Sequence, residues 1–315
     1  MEKLRIVFMG TPEFAVSILD AILKNKYEVV GVITAADKPA GRGQKLKYSA
    51  VKEYALQHEL KILQPTNLKD ESFLTELKSW NANLQVIVAF RMLPEAVWKM
   101  PKYGTFNLHA SLLPNYRGAA PINWALINGE SKTGVTTFFI DDKIDTGAMI
   151  LSKTTSISKE ENAGELHDKL MNLGSEAVIE TLTLLETGNV ATTIQNETAN
   201  IKNAHKLNKE NCKIDWNKSG IEIYNLIRGL SPYPSAWCFF KDGNEEWNVK
   251  INESNFVSEE HNLSIGKIIS SKKELKIVVK DGFIEIINLQ FPGKKKMNIK
   301  EFLNGMHFSE SAIVL

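Results

Sequence analysis

Leu4-Arg5-Ile6-Val7-Phe8-Met9-Gly10-Thr11-Pro12-Glu13-Phe14 is the stretch from which the fold is read. Its apolar run is built from good strand formers and stops at Gly10. Phe14, Ile18, Leu19, Ile22 and Leu23 then recur at helical spacing, and Glu28 to Thr34 is a second strand-like run. A continuous apolar strand, a short turn, an amphipathic helix and another such strand are the unit of a mostly parallel sheet covered on both faces. Further strands are predicted at Leu84–Phe90, Gly104–Ala110 and Gly134–Ile140, with helices at Ala50–His58 and Asp70–Trp80. A long helix over Asn162–Glu186 closes the unit. Residues 1–186 therefore predict an α/β domain with a Rossmann-like sheet.

Residues 187–209 turn polar and read as a linker. Beyond it, in 210–315, a short helix is predicted at Glu222–Arg228. Strands are predicted at Trp237–Lys241, Trp247–Asn252, Gly266–Ser270, Leu275–Val279 and Phe283–Leu289. Strand after strand, with Asp242-Gly243 and Asp281-Gly282 as turns, predicts a small β-barrel.

Composition narrows the function without naming it. The chain has 315 residues, 43% hydrophobic and 24% charged, an ordinary globular mix that excludes disorder as the main state. No apolar run is long enough to span a bilayer, and Ile6–Met9 is too short for the core of a signal peptide. A cytoplasmic monomer is expected. Cys212 and Cys238 make no disulfide framework and no C-x-x-C pair exists, so no structural metal is expected. With 38 basic and 37 acidic residues, any contact with nucleic acid has to come from local patches.

The first strand-to-helix turn, Gly10-Thr11-Pro12-Glu13, has one glycine where a dinucleotide fingerprint needs three, which argues against a nicotinamide enzyme. No G-x-x-x-x-G-K-[ST] loop is present for a nucleotide triphosphate. Asn107 and His109 stand two apart at the end of a predicted strand, so they share a face, and in open α/β sheets that strand end faces the ligand crevice. An amide and an imidazole together can stabilise an oxyanion and move a proton; equally, two hydrogen-bonded residues can simply finish a strand. Asp145, on the loop Asp141-Asp142-Lys143-Ile144-Asp145-Thr146-Gly147, is either a turn residue or a carboxylate that orients His109.

Asn107-Leu108-His109, followed by Ser111-Leu112-Leu113-Pro114 and later by Asp145-Thr146-Gly147, resembles the folate-dependent formyltransferase family. The longer run from Ser111 to Ile122 resembles the branch that acts on methionyl-tRNA. So do Gly10–Ala15, Pro39-Ala40-Gly41-Arg42-Gly43, Ile214-Asp215-Trp216, Ile227-Arg228-Gly229-Leu230 and Pro292-Gly293-Lys294-Lys295. The resemblance implies Asn107, His109 and Asp145 as catalytic residues, with Ser111, Leu112, Leu113 and Pro114 beside the folate. It implies 10-formyltetrahydrofolate as co-substrate, methionyl-tRNA as acceptor, and an OB-like C-terminal barrel that assists tRNA binding. Arg42 lies in a loop that resembles the family's acceptor-stem contact. One departure stands out: Ala89-Phe90-Arg91-Met92-Leu93-Pro94 is one residue shorter than the usual Ala-Tyr-Gly-x-Ile-Leu-Pro. Arg91 there is read either as a surface charge or as a folate contact.

Basic patches carry the expected tRNA contacts: Lys38, Arg42, Lys45 and Lys47 against Asp37, and Lys294, Lys295, Lys296 and Lys300. A further group, Lys267, Lys272, Lys273, Lys276 and Lys280, faces only Glu274 and Asp281 in sequence. The competing reading is a sugar-nucleotide N-formyltransferase, which shares the catalytic core but does not need the Ala40-Gly41-Arg42-Gly43 loop or the late lysine run.

Overall fold

Ile6, Val7, Phe8 and Met9 are all fully buried, so the strand Arg5–Gly10 has no solvent face. Val7 and Met9 pack with Ile33, Phe73, Leu77, Trp80, Ile87 and Val97, which lays helices Glu71–Ser79 and Glu95–Trp98 on one side of the sheet. Phe8 and Gly10 look the other way, toward helix Glu13–Lys24. A β-carbon on Gly10 would sit 2.6 Å from the Ala15 β-carbon and 3.0 Å from the Val88 carbonyl. Glycine is needed there for close approach of helix to strand.

The computed structural model describes residues 2–40, 45–196 and 200–315. Two units emerge. One takes Met1–Gly118, Thr133–Thr155 and His167–Asn203; the other takes Ala119–Lys132, Ser156–Leu166 and Ala204–Leu315. Each is therefore assembled from separate stretches of chain.

The first unit carries a seven-stranded sheet. Its order is Met149–Ser156, Lys132–Phe139, Thr105–His109, Leu84–Val88, Arg5–Gly10, Glu28–Ile33 and Ile62–Leu63. The five strands from Thr105–His109 to Ile62–Leu63 pair in parallel, whereas Lys132–Phe139 runs antiparallel to Thr105–His109. The sheet is thus mostly parallel and Rossmann-like, as expected. Strand Met149–Ser156 is not predicted from the sequence, because its apolar residues stop at Leu151 and alternate residues of its second half, at the sheet's edge, face solvent. Helix caps fall where the side-chain chemistry demands. Asp70 accepts from the Ser72 and Phe73 N–H groups, and Ser49 accepts from Lys52 N–H. Within the segment read as an irregular basic loop, Lys38–Ala40 and Lys45–Lys47 pair as short antiparallel strands.

In the second unit the strands Ile268–Ser270, Leu275–Val279, Gly282–Gln290, Glu245–Ser258, Ala236–Asp242 and Ile313–Val314 follow one another as neighbours. The last returns to the first: Ile313 bridges Lys267, and Ile268 N–H reaches the Ala312 carbonyl at 2.9 Å. The result is the expected small antiparallel barrel, nearly closed. Alternating side chains fill it, among them Cys238, Phe240, Val249, Ile251, Ile277, Ile284 and Leu289. Both cysteines are buried, and burial pushes the Cys238 thiol well above its ordinary range. The strand predicted to stop at Asn252 runs on to Ser258; its register slips after Ile251, so the buried face passes from Val249 and Ile251 to Asn252 and Ser254. Helix Gly220–Gly229 is closed at its start by a Ser219/Glu222 capping box. From its last turn the buried Arg228 donates to the Asn225 side chain (2.8 Å) and to the carbonyls of Ser158 (3.0 Å) and Glu161 (3.1 Å).

Candidate active site

Strand Thr105–His109 turns Phe106 and Leu108 to one side and Asn107 and His109 to the other. His109 is 6% exposed. Its Nε2 lies 2.7 Å from the Tyr116 carbonyl oxygen. A carbonyl only accepts, so Nε2 carries a hydrogen. Nδ1 faces Asp145 Oδ2 at 3.8 Å, an ion-pair separation too long for a direct hydrogen bond. That same Oδ2 accepts from Gly118 N–H at 2.9 Å. The Asn107 amide is partly exposed and has no hydrogen-bond partner among the described residues.

The loop that carries Asp145 is tied at several points. Asp141 Oδ1 accepts from Lys143 N–H (3.0 Å) and from the Thr146 hydroxyl (2.7 Å). Gly147 passes so close to the neighbouring strand that a β-carbon would fall 1.7 Å from the Phe139 carbonyl. Tyr116 and Asp145 both sit in left-handed backbone conformations. Gln195 holds the carbonyls of Asp145 and Gly147. Tyr116, Gly118 and Gln195 were not singled out by sequence reasoning. The first two act through backbone atoms, which carry no residue signature, and Gln195 lies inside the polar segment read as a linker.

In the Ser111–Pro114 segment the Ser111 hydroxyl is spent on its own turn, donating to the Asn115 carbonyl at 2.7 Å. Thr136 Oγ1 clamps the segment by donating to the Ser111 carbonyl (2.8 Å) and accepting from Leu113 N–H (3.2 Å). Leu113 is buried, so the partly exposed Leu112 and Pro114 are what the segment leaves accessible. Arg91 is exposed and occupied, donating to the Pro65 and Thr66 carbonyls.

Among the expected tRNA contacts, Lys38 is exposed, and Arg42 and the Lys45 side chain lie outside the described residues. Asp37, expected to offset that basic group, is engaged instead by Lys52 (2.5 Å) and Gln64 (2.8 Å). Lys294, Lys295 and Lys296 are exposed on the turn after Phe291. Lys276, read from sequence as nearly unopposed, pairs across strands with Glu285 at 2.7 Å, because register placed the two opposite each other. Among the described residues no cluster of histidine, cysteine and carboxylate side chains is arranged to hold a metal ion. No described helix is long and apolar enough to cross a membrane.

Comparison with known proteins supplies the context for this geometry. The family model "Formyl transferase" matches residues 4–182, and "Formyl transferase, C-terminal domain" matches 206–307. A methionyl-tRNA formyltransferase of Flavobacterium johnsoniae is 71% identical over 314 residues, spanning 100% of both chains. That of Flavobacterium psychrophilum is 69% identical over 315 residues, again with 100% of both covered. That of Bacteroides fragilis is 51% identical, covering 98% of this chain and 97% of its own. Among solved structures, WlaRD, a sugar 3N-formyltransferase crystallised with dTDP and 5-N-formyl-THF, shares the fold. Its TM-score is 0.67 at 24% identity, over 94% of this chain and 100% of its own. HypX from Aquifex aeolicus in complex with tetrahydrofolic acid has a TM-score of 0.64 at 18% identity, over 98% of this chain and 49% of its own. With two family models in register along its length and full-length relatives above half identity, the chain belongs to the formyl transferase family, in its methionyl-tRNA formyltransferase branch.

Proposed function

We propose that this chain moves the formyl group of 10-formyltetrahydrofolate to the α-amine of methionyl-tRNA, giving formylmethionyl-tRNA for translation initiation. The observation that carries the choice of acceptor is identity of 69–71% along the whole chain to methionyl-tRNA formyltransferases. Sugar formyltransferases share the fold at 24% identity or less, a likeness of architecture alone.

The chemistry follows from what a formyl transfer needs. The amine nitrogen attacks the formyl carbon, the carbonyl electron pair moves to oxygen, and a tetrahedral oxyanion forms. Its collapse breaks the bond to the folate nitrogen, which takes a proton while the former amine loses one. Asn107, whose amide has no other partner among the described residues, donates to the oxyanion. One such donor is typically worth about 10²–10³ in rate. His109 and Asp145, 3.8 Å apart, carry the proton from the attacking amine to the leaving nitrogen. Ser111, Leu112, Leu113 and Pro114 flank the folate. Residues 1–186 supply the catalytic groups, and 210–315 assist tRNA binding. Arg42, Lys38 and Lys45 meet tRNA phosphates from the first, and Lys294, Lys295 and Lys296 from the second.

The test is to supply the formyl donor with methionyl-tRNA in one reaction and an amino-sugar nucleotide in another. Formylation of methionyl-tRNA alone is expected. Faster turnover of the amino sugar would overturn the assignment.

A further inference from the structure

Asp145 has φ of 55°, a left-handed backbone that a non-glycine residue keeps only when its surroundings impose it. The restraint comes from 50 residues down the chain. Gln195, 5% exposed, donates through Nε2 to the carbonyls of Asp145 (3.0 Å) and Gly147 (2.8 Å). Its Oε1 accepts from Arg117 Nε at 3.1 Å and Nη2 at 2.8 Å. Both amide donors and the acceptor are therefore used. The segment that presents Gln195 is itself pinned, since Thr193 and Met149 exchange two backbone hydrogen bonds of 2.8 Å. Arg117 precedes Gly118, whose N–H holds the Asp145 carboxylate. A ring thus runs from the Asp145 carboxylate through Gly118 and Arg117 to Gln195 and back to the Asp145 backbone.

We propose that Gln195, oriented by Arg117, is a positioning residue for formyl transfer, setting the Asp145 carboxylate toward His109 Nδ1. The inference rests on the proposed role of Asn107, His109 and Asp145. No direct hydrogen bond joins Asp145 to His109, so the pair has no means of correcting a shift of its own loop. Glutamine suits the task by valence. Glutamate keeps the acceptor for Arg117 but faces two carbonyls with no donor, and asparagine is one methylene shorter. A displacement of about 1 Å at a reacting group costs on the order of 10²-fold in rate.

Gln195→Glu, nearly isosteric, is the primary test, with Gln195→Ala as the second variant should the first fail to fold. The expected result is a fall in kcat of about ten- to a hundred-fold, with KM for both substrates within about threefold of the parent. Combined with Asp145→Asn, either substitution should add less than about threefold to the loss from Asp145→Asn alone, because both act on one group. A general packing defect would instead multiply the losses and move KM. Unchanged kcat in both Gln195 variants, or fully multiplicative losses, would overturn the proposal and leave the Asp145 assignment standing. A normal rate in Asp145→Asn would overturn both.

Discussion

Replacing Asp145 by Asn isolates charge from shape. The asparagine Oδ1 still accepts from Gly118 N–H, now 2.9 Å from the carboxylate, so the loop keeps its anchor. What disappears is a negative charge 3.8 Å from His109 Nδ1, in a pair whose side chains are 7% and 15% exposed. At an effective dielectric of about 20, a unit charge at that distance is worth about 4 kcal/mol against positive charge that develops on the imidazole in the transition state, close to three powers of ten in rate. Desolvation of the two groups offsets part of this, so kcat should fall by about 10²- to 10³-fold. The assay is single-turnover formylation of methionyl-tRNA at saturating folate donor, with thermal unfolding run in parallel. A kcat within about threefold of the parent, at equal thermal stability, would refute the electrostatic role. Loss of rate accompanied by a large drop in unfolding temperature would assign Asp145 to the fold instead.

Arg228→Met should lower unfolding stability by about 2–4 kcal/mol, because the Ser158 and Glu161 carbonyls lose a charged donor inside the second unit; urea denaturation followed by tryptophan fluorescence measures it. Asp70 bonds the Ser72 hydroxyl and the Phe73 and Ser72 N–H groups, which hold its carboxyl below the usual carboxylate range. The stabilisation is therefore complete above the unfolded carboxylate pKa and lost as pH falls through the lower, folded value. Hydrogen exchange at the Ser72 and Phe73 amides, corrected for intrinsic rates, should lose protection across that acidic window in the parent protein and show no such step in Asp70→Asn. Arg42→Ala should reduce efficiency with methionyl-tRNA by about 10- to 150-fold at unchanged folate affinity, the worth of one lost charged hydrogen bond. Alanine at Lys294, Lys295 and Lys296 should instead weaken tRNA binding broadly and flatten its salt dependence; binding titrations across a salt series separate the two.

Fold class was legible in Ile6–Met9 and the helical repeat from Phe14 to Leu23, because burial on both faces leaves a continuous apolar strand and burial on one side leaves a 3.6-residue period. Asn107 and His109 were legible for a similar local reason: two residues apart on a strand share a face whatever the rest of the chain does. Strand Met149–Ser156 was not, since its apolar residues stop at Leu151 and the remainder of this edge strand lies half in water. The long-range partners of the site were beyond reach altogether. The Tyr116 carbonyl that accepts a hydrogen bond from His109 Nε2–H and the Gly118 N–H that anchors Asp145 belong to the backbone, which every residue has. Lys276 looked unopposed until strand register set Glu285 beside it. Gln195 sat among threonines and asparagines with no period to mark it. It became visible only when folding brought an amide with two donors and one acceptor against two carbonyls and a guanidinium. Local periodicity records what a residue buries, whereas its hydrogen-bond partners are chosen by tertiary contact between distant stretches of chain.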